Sequence, residues 1–186
     1  MSFQSWEELI NNTTASATAV ANTTTETVLI PAVTIPANYF QVNRLYCLTV
    51  YGGYGTTATP TLQFGLRWGS ATGGTLMARS GSYTTGSGVG GGASMTALFK
   101  IKIYIQIRSS GTTGTAMTNG EVVLYTTGTA AGTYLPIASG STGGTTPAAA
   151  TLDLTADTAL SLTALWGTAN AANSIQAHQW SLEALN

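Results

Sequence analysis

Charge is what this 186-residue sequence has least of. Six basic and seven acidic side chains leave a formal net charge of −1, and charged residues make up only 7%, against about 25% in average domains. So weak a field neither steers nor holds nucleic acid or an anionic membrane surface. Cysteine and histidine occur once each, as Cys47 and His178. One thiol forms no internal disulfide, and one thiol with one imidazole falls short of a zinc site. No apolar run approaches the ~18 residues of a membrane-crossing helix. MSFQSWEELI has neither the basic n-region nor the apolar core of a secretion signal. The chain is therefore expected to be made in the cytoplasm and to stay off membranes. Scarce too are Glu, Lys, Gln and Arg, the residues that clothe helix surfaces at little entropic cost.

Glycine, with 22 residues, and Thr, Ala, Ser and Asn fill the gap, and this set disfavours helix and suits strands joined by turns. Phe99 to Arg108, FKIKIYIQIR, alternates Ile101, Ile103, Ile105 and Ile107 with Lys100, Lys102, Tyr104, Gln106 and Arg108. At period two the isoleucines share one face and face the core, while the Lys-Lys-Tyr-Gln-Arg face meets solvent or a partner. Thr61 to Trp68 alternates in the same way, as does TALSLTALW with Leu160, Leu162, Ala164 and Trp166 in phase. Arg44 to Val50 reads as a strand ending in a YGGYG turn. Two Gly-rich loops are expected, at about 80–94 and 128–150. Only the first ten residues suggest a helix, with Phe3, Trp6, Leu9 and Ile10 at helical spacing and Ser5 and Glu8 in a capping pattern. The expected architecture is all-β: a jelly-roll-like antiparallel β-sandwich of about 8–10 strands spanning 26–186. A short helix and extended linker at 1–25 precede it.

Candidate chemistry is sparse. GSGVGG at 86–91 matches G-x-G-x-x-G, but a strand follows it rather than a helix, which makes it a loop and not a nucleotide cradle. Asp153 and Asp157 would stand about 13 Å apart on one continuous strand, beyond a glycosidase pair, and read as turn-forming aspartates. His178 shares strand parity with Trp180 and Leu182 and reads as a partly buried or inter-subunit histidine. No G-x-S-x-G elbow accompanies it, and no acid–base–nucleophile set emerges, so no enzymatic activity and no cofactor or metal is expected. Lys100, Lys102, Tyr104, Arg108 and His178 are candidate subunit-interface residues. Phe3, Trp6, Leu9 and Ile10, tethered by the low-complexity NNTTASATAVANTTTET, form a candidate docking arm of the helix-in-groove kind. Tyr83, Tyr125 and Tyr134 lie near Gly-rich loops and are candidate sugar-stacking platforms.

Three stretches carry a family resemblance: ETVLIPAVTIPANYFQVNRLYCLTVYGGYGTTATPTLQFGLRWG, ALFKIKIYIQIRSSGTTGTAMTNGEV and LDLTADTALSLTALWGTANAANSIQAHQWSLEAL. With a strand after I-P-A-N, a threonine-rich hairpin, an L-R-x-G turn and a terminal S-L-E-x-L strand, the chain resembles virion structural proteins of tailed bacteriophages, of the capsid decoration (cement) type. The resemblance implies a jelly-roll domain, often a homotrimer, that binds the major capsid protein on the outside of an icosahedral shell and reinforces it. It carries no catalytic residue over. On this reading Tyr- and Trp-bearing strand faces pack between subunits. The alternative is a receptor- or glycan-binding module of a phage tail or fibre.

Overall fold

In the computed structural model, residues 7–56, 59–85, 95–125, 132–140 and 147–185 are described. The isoleucine ladder is the longest strand, β9 (Ala97–Ser109) in a chain-order count, with Ile101, Ile103, Ile105 and Ile107 fully buried. It turns at Gly111, whose φ of +96° suits a residue without a Cβ, into β10 (Gly114–Tyr125). Three more long strands precede this hairpin: β5 (Leu45–Gly55), β6 (Thr61–Trp68) and β7 (Thr75–Ser80). Three follow it: β11 (Gly132–Ala138), β13 (Thr158–Trp166) and β14 (Ser174–Leu185). Shorter pieces are β1 (Glu8–Asn12), β2 (Val20–Ala21), β3 (Thr27–Val28), β4 (Val33–Ile35), β8 (Tyr83–Thr84) and β12 (Ala150–Leu152).

All pairings are antiparallel, and the eight long strands nest. β5 pairs β14, β6 pairs β13, β7 pairs β11 and β9 pairs β10. First with last, second with next to last and so inward is the pairing of a long antiparallel ribbon folded over on itself. The main path runs β1-β14-β5-β9-β10-β11-β7-β6-β13-β3 and does not close into a barrel. Its two halves meet through a continuous apolar core. Phe64 of β6 lies 6.2 Å from Phe99 of β9, and Phe40 stacks on Tyr46 of β5 at 4.1 Å while touching Trp68 of β6 at 5.3 Å. Leu62, Phe64, Leu66 and Trp68 are all buried, as are Leu160, Leu162, Ala164 and Trp166. The all-β, antiparallel sandwich expectation is met.

Four local expectations are not. Glu8–Asn12 is a strand rather than the end of a helix, paired to β14 with a bulge between Leu9 and Asn11. A single helix of ten residues is marginal in water, whereas the edge of β14 offers unpaired backbone groups. The low-complexity stretch continues along that edge: Thr13 and Ala17 donate backbone hydrogen bonds to Trp180 and Ala177, and β2 pairs β14. YGGYG is no turn but the end of β5. A Cβ on Gly52 would meet the Gln176 carbonyl at 2.1 Å and the Phe99 ring at 2.6 Å, so glycine here serves close packing, not chain reversal. Finally, the expected loop at 128–150 contains β11, and the one at 80–94 begins with β8. GSGVGG lies outside the described residues.

Candidate interaction face

The outer face of β14, β5, β9, β10 and β11, with β1 at its edge, gathers most of the large exposed apolar side chains among the described residues. Of seven large exposed apolar side chains among the described residues, five stand here: Leu9, Tyr51, Leu98, Tyr104 and Tyr134. Register explains the clustering, because directly paired residues of antiparallel strands point to the same side. One row runs Gln179–Tyr51–Lys100–Val123–Tyr134 and another Glu183–Cys47–Tyr104–Asn119–Ala138, with Leu9 paired to Glu183 at the edge. Between them Lys102 sits opposite Glu121. The Lys102 ammonium lies 5.2 Å from the Tyr104 ring centroid, and its polar contact with Tyr104 raises its pKa above the ordinary lysine value. Lys100, Lys102, Tyr104 and Arg108 thus share one side of β9. Cys47 is buried within the row.

His178 is exposed, and the parity argument that placed it beside Trp180 fails for a visible reason. The β14–β5 register shifts between Ala177 and Gln179, a bulge that gives one extra residue to β14 and re-aims its side chain. Ala177 and Trp180 are buried while His178 and Gln179 face out. The Ser16 hydroxyl and His178 Nδ1 share a 3.0 Å hydrogen bond. Beside the bulge lies a cleft of about 420 Å³ walled by Tyr51, Leu98, Lys100, Tyr125, His178 and Gln179, with Gly52 and Phe99 beneath.

The described tryptophans are not part of the face. Trp68, Trp166 and Trp180 are buried, their indole N–H groups donating to Asp153 O, Val20 O and Asn11 Oδ1. Asp153 Oδ1 accepts from the Thr155 backbone and hydroxyl, which lowers its pKa, and Asp157 Oδ1 accepts from the Ala37 amide. The Asp153 bonds are local and turn-making, as the sequence suggests, whereas the Asp157 bond ties two segments 120 residues apart. Of the candidate docking residues, Ile10 packs against the core and Leu9 is 56% exposed. Phe3 and Trp6 lie outside the described residues. Of the candidate sugar platforms, Tyr83 packs against the core, Tyr134 stands out from β11 at 67% exposure, and Tyr125 borders the cleft.

Sequence reasoning misses the strongest electrostatic feature. Glu26 accepts from Arg67 Nε and Nη2 at 2.7 and 2.6 Å, from Arg79 Nη2 at 3.0 Å and from the Thr163 hydroxyl at 2.6 Å. Burial pushes the Glu26 carboxyl up, but the Arg67 and Thr163 hydrogen bonds and both guanidinium charges outweigh it, and its pKa lies below the usual carboxylate range. A second pair, Arg44 Nη2 to Glu8 Oε2 at 2.8 Å, fixes β1 to the foot of β5. The available signal was a glutamate and two arginines left over in a chain with few charges.

No family model, curated protein or solved structure matches this chain.

Proposed function

We propose that this chain is a non-catalytic virion structural protein that binds the outer surface of a bacteriophage capsid and stabilises it as a homotrimer. The observation that carries the reading is the gathering of Leu9, Tyr104 and their apolar neighbours on one sheet face of a protein that has almost no charge to keep it apart from its neighbours. Monomeric proteins rarely leave such area open. The resemblance of strand order and motif to decoration proteins points the same way.

The Leu9–Tyr104 half of the face is covered by a second copy. Its charges suit a head-to-tail contact: Lys102 and Arg108 stand on β9, while Glu183 stands two strands away on β14. Unlike patches meeting in rotation close a ring rather than a two-fold pair. Residues 1–6 precede β1 in sequence, and Phe3 and Trp6 among them supply apolar contacts to the major capsid protein. Three such contacts on one rigid body raise effective concentration and hence avidity. Binding the assembled shell and not its dissociated subunits stabilises the shell by linkage.

The test is co-sedimentation with isolated capsid shells. The full chain is expected to pellet with shells to saturation, and a chain lacking residues 1–6 to stay in the supernatant as a folded oligomer. A full chain that never pellets overturns the reading. Deletion without effect removes Phe3 and Trp6 from the contact.

A further inference from the structure

The cleft at the His178 bulge adjoins the contacts just described but lies beyond Lys102, their nearest residue on β9. Tyr51 and Cys47 are four residues apart on β5, so the cleft row and the Leu9–Tyr104 row are separated by about 13 Å. We propose that this cleft is a saccharide subsite that takes a pyranose ring carrying a carboxylate, as in an acidic surface polysaccharide. The inference does not rest on the virion reading.

Three observations converge on it. The first is shape and surface. At about 420 Å³ the cleft sits at the small end of the ~300–1,000 Å³ range of ligand sites. It is open and shallow, with the Tyr51 ring 43% and the Leu98 side chain 61% exposed and the Tyr125 ring half-buried. Flat aromatic faces that remain wet at one end suit the C–H face of a sugar better than a wholly apolar ligand, which gains most from enclosure.

The second is the bulge. Regular alternation would leave one of His178 and Gln179 facing inward, yet both face out beside the cleft. Two adjacent side chains with hydrogen-bonding ends are thereby brought to one rim, and bulges commonly serve to aim a side chain in this way. Ser16 takes Nδ1 of His178. The ring's other nitrogen, Nε2, is then the one left to meet a ligand hydroxyl.

The third is charge. Lys102 faces Glu121 across the ladder, but the cross-strand neighbours of Lys100 are Tyr51 and Val123, both neutral. Among the described residues Lys100 forms no ion pair, so it brings a cation to the cleft wall, and a carboxylate on the ring answers it.

Saturation-transfer NMR on the full chain tests this with two probes, methyl β-D-glucuronide and methyl β-D-glucoside. The expected result is saturable transfer to the glucuronide in the millimolar range and weaker binding of the glucoside. Tyr51→Ala is expected to weaken glucuronide binding about tenfold. Lys100→Met is expected to abolish the preference between the two sugars while leaving residual stacking. Gln179→Ala, an exposed change outside the core, gives a third reading should Tyr51→Ala alter folding, and is expected to weaken both sugars. Absence of saturable transfer from either probe overturns the proposal, as do sugar binding unchanged in Tyr51→Ala and Gln179→Ala, or equal binding of the two sugars by the unaltered protein.

Discussion

At the scale of single residues, the Glu26 cluster shows how a charge-poor protein uses the charges it has. One carboxylate joins the end of the N-terminal run to β6, β7 and β13 through Arg67, Arg79 and Thr163. Glu26→Gln keeps the shape but leaves two guanidinium groups without their anion, and is expected to cost about 2 kcal/mol, between an exposed and a fully buried pair. The pH dependence follows in sign. Because the folded-state pKa of Glu26 is lowered, its contribution is complete above the ordinary carboxylate pKa and fades as pH falls through the folded value. Thermal unfolding midpoints at pH 7 and pH 3 should therefore drop further for the unaltered protein than for Glu26→Gln. Equal drops would mean that the cluster contributes nothing. Such a cluster is invisible in sequence, since Glu26 and Thr163 are 137 residues apart and nothing local ties them. His178 is hidden for another reason: one bulge moves the buried positions from odd numbers before it to even numbers after it.

At the scale of the element, β9 was legible because alternation is a local property. Ile101 to Ile107 at every second place require an apolar neighbour on one side whatever the fold, and the structure buries all four. Ile103→Ala is expected to cost about 2–5 kcal/mol and Tyr104→Ala, on the opposite side, under about 1 kcal/mol, both read from denaturant unfolding at a concentration where the chain is monomeric. Similar losses at the two positions would contradict the division of faces. Gly52 was misread for a matching reason. Glycine signals a turn in a local window, but Gly52, like Gly120, lies inside a strand where another chain segment comes close. A Cβ at Gly120 would stand 2.1 Å from the Lys102 carbonyl, so Gly120→Ala must part β9 from β10, at an expected cost of about 2–3 kcal/mol. Unchanged stability would show that the ladder yields there. Leu9 and Ile10 misled because helical spacing was weighed without the open edge of β14 that pairs Glu8–Asn12.

At the scale of the whole molecule, strand count and turn spacing pointed to a sandwich, and the nested pairing of β5 to β14 makes it a folded-over ribbon. What sequence alone did not supply is which polar positions share a surface. Tyr51, Tyr104 and Tyr134 come from three separate strands and meet only through register. That shared surface is the basis for the proposed assembly, and its charges permit a reciprocal test. Native mass spectrometry of four forms is the most direct measurement: the unaltered chain, Lys102→Glu, Glu183→Lys, and the two together. The expected outcome is a trimer for the unaltered chain, dissociation in each single reversal, and recovery of the trimer in the double reversal. A monomeric unaltered chain, or a trimer indifferent to all three changes, would contradict the account.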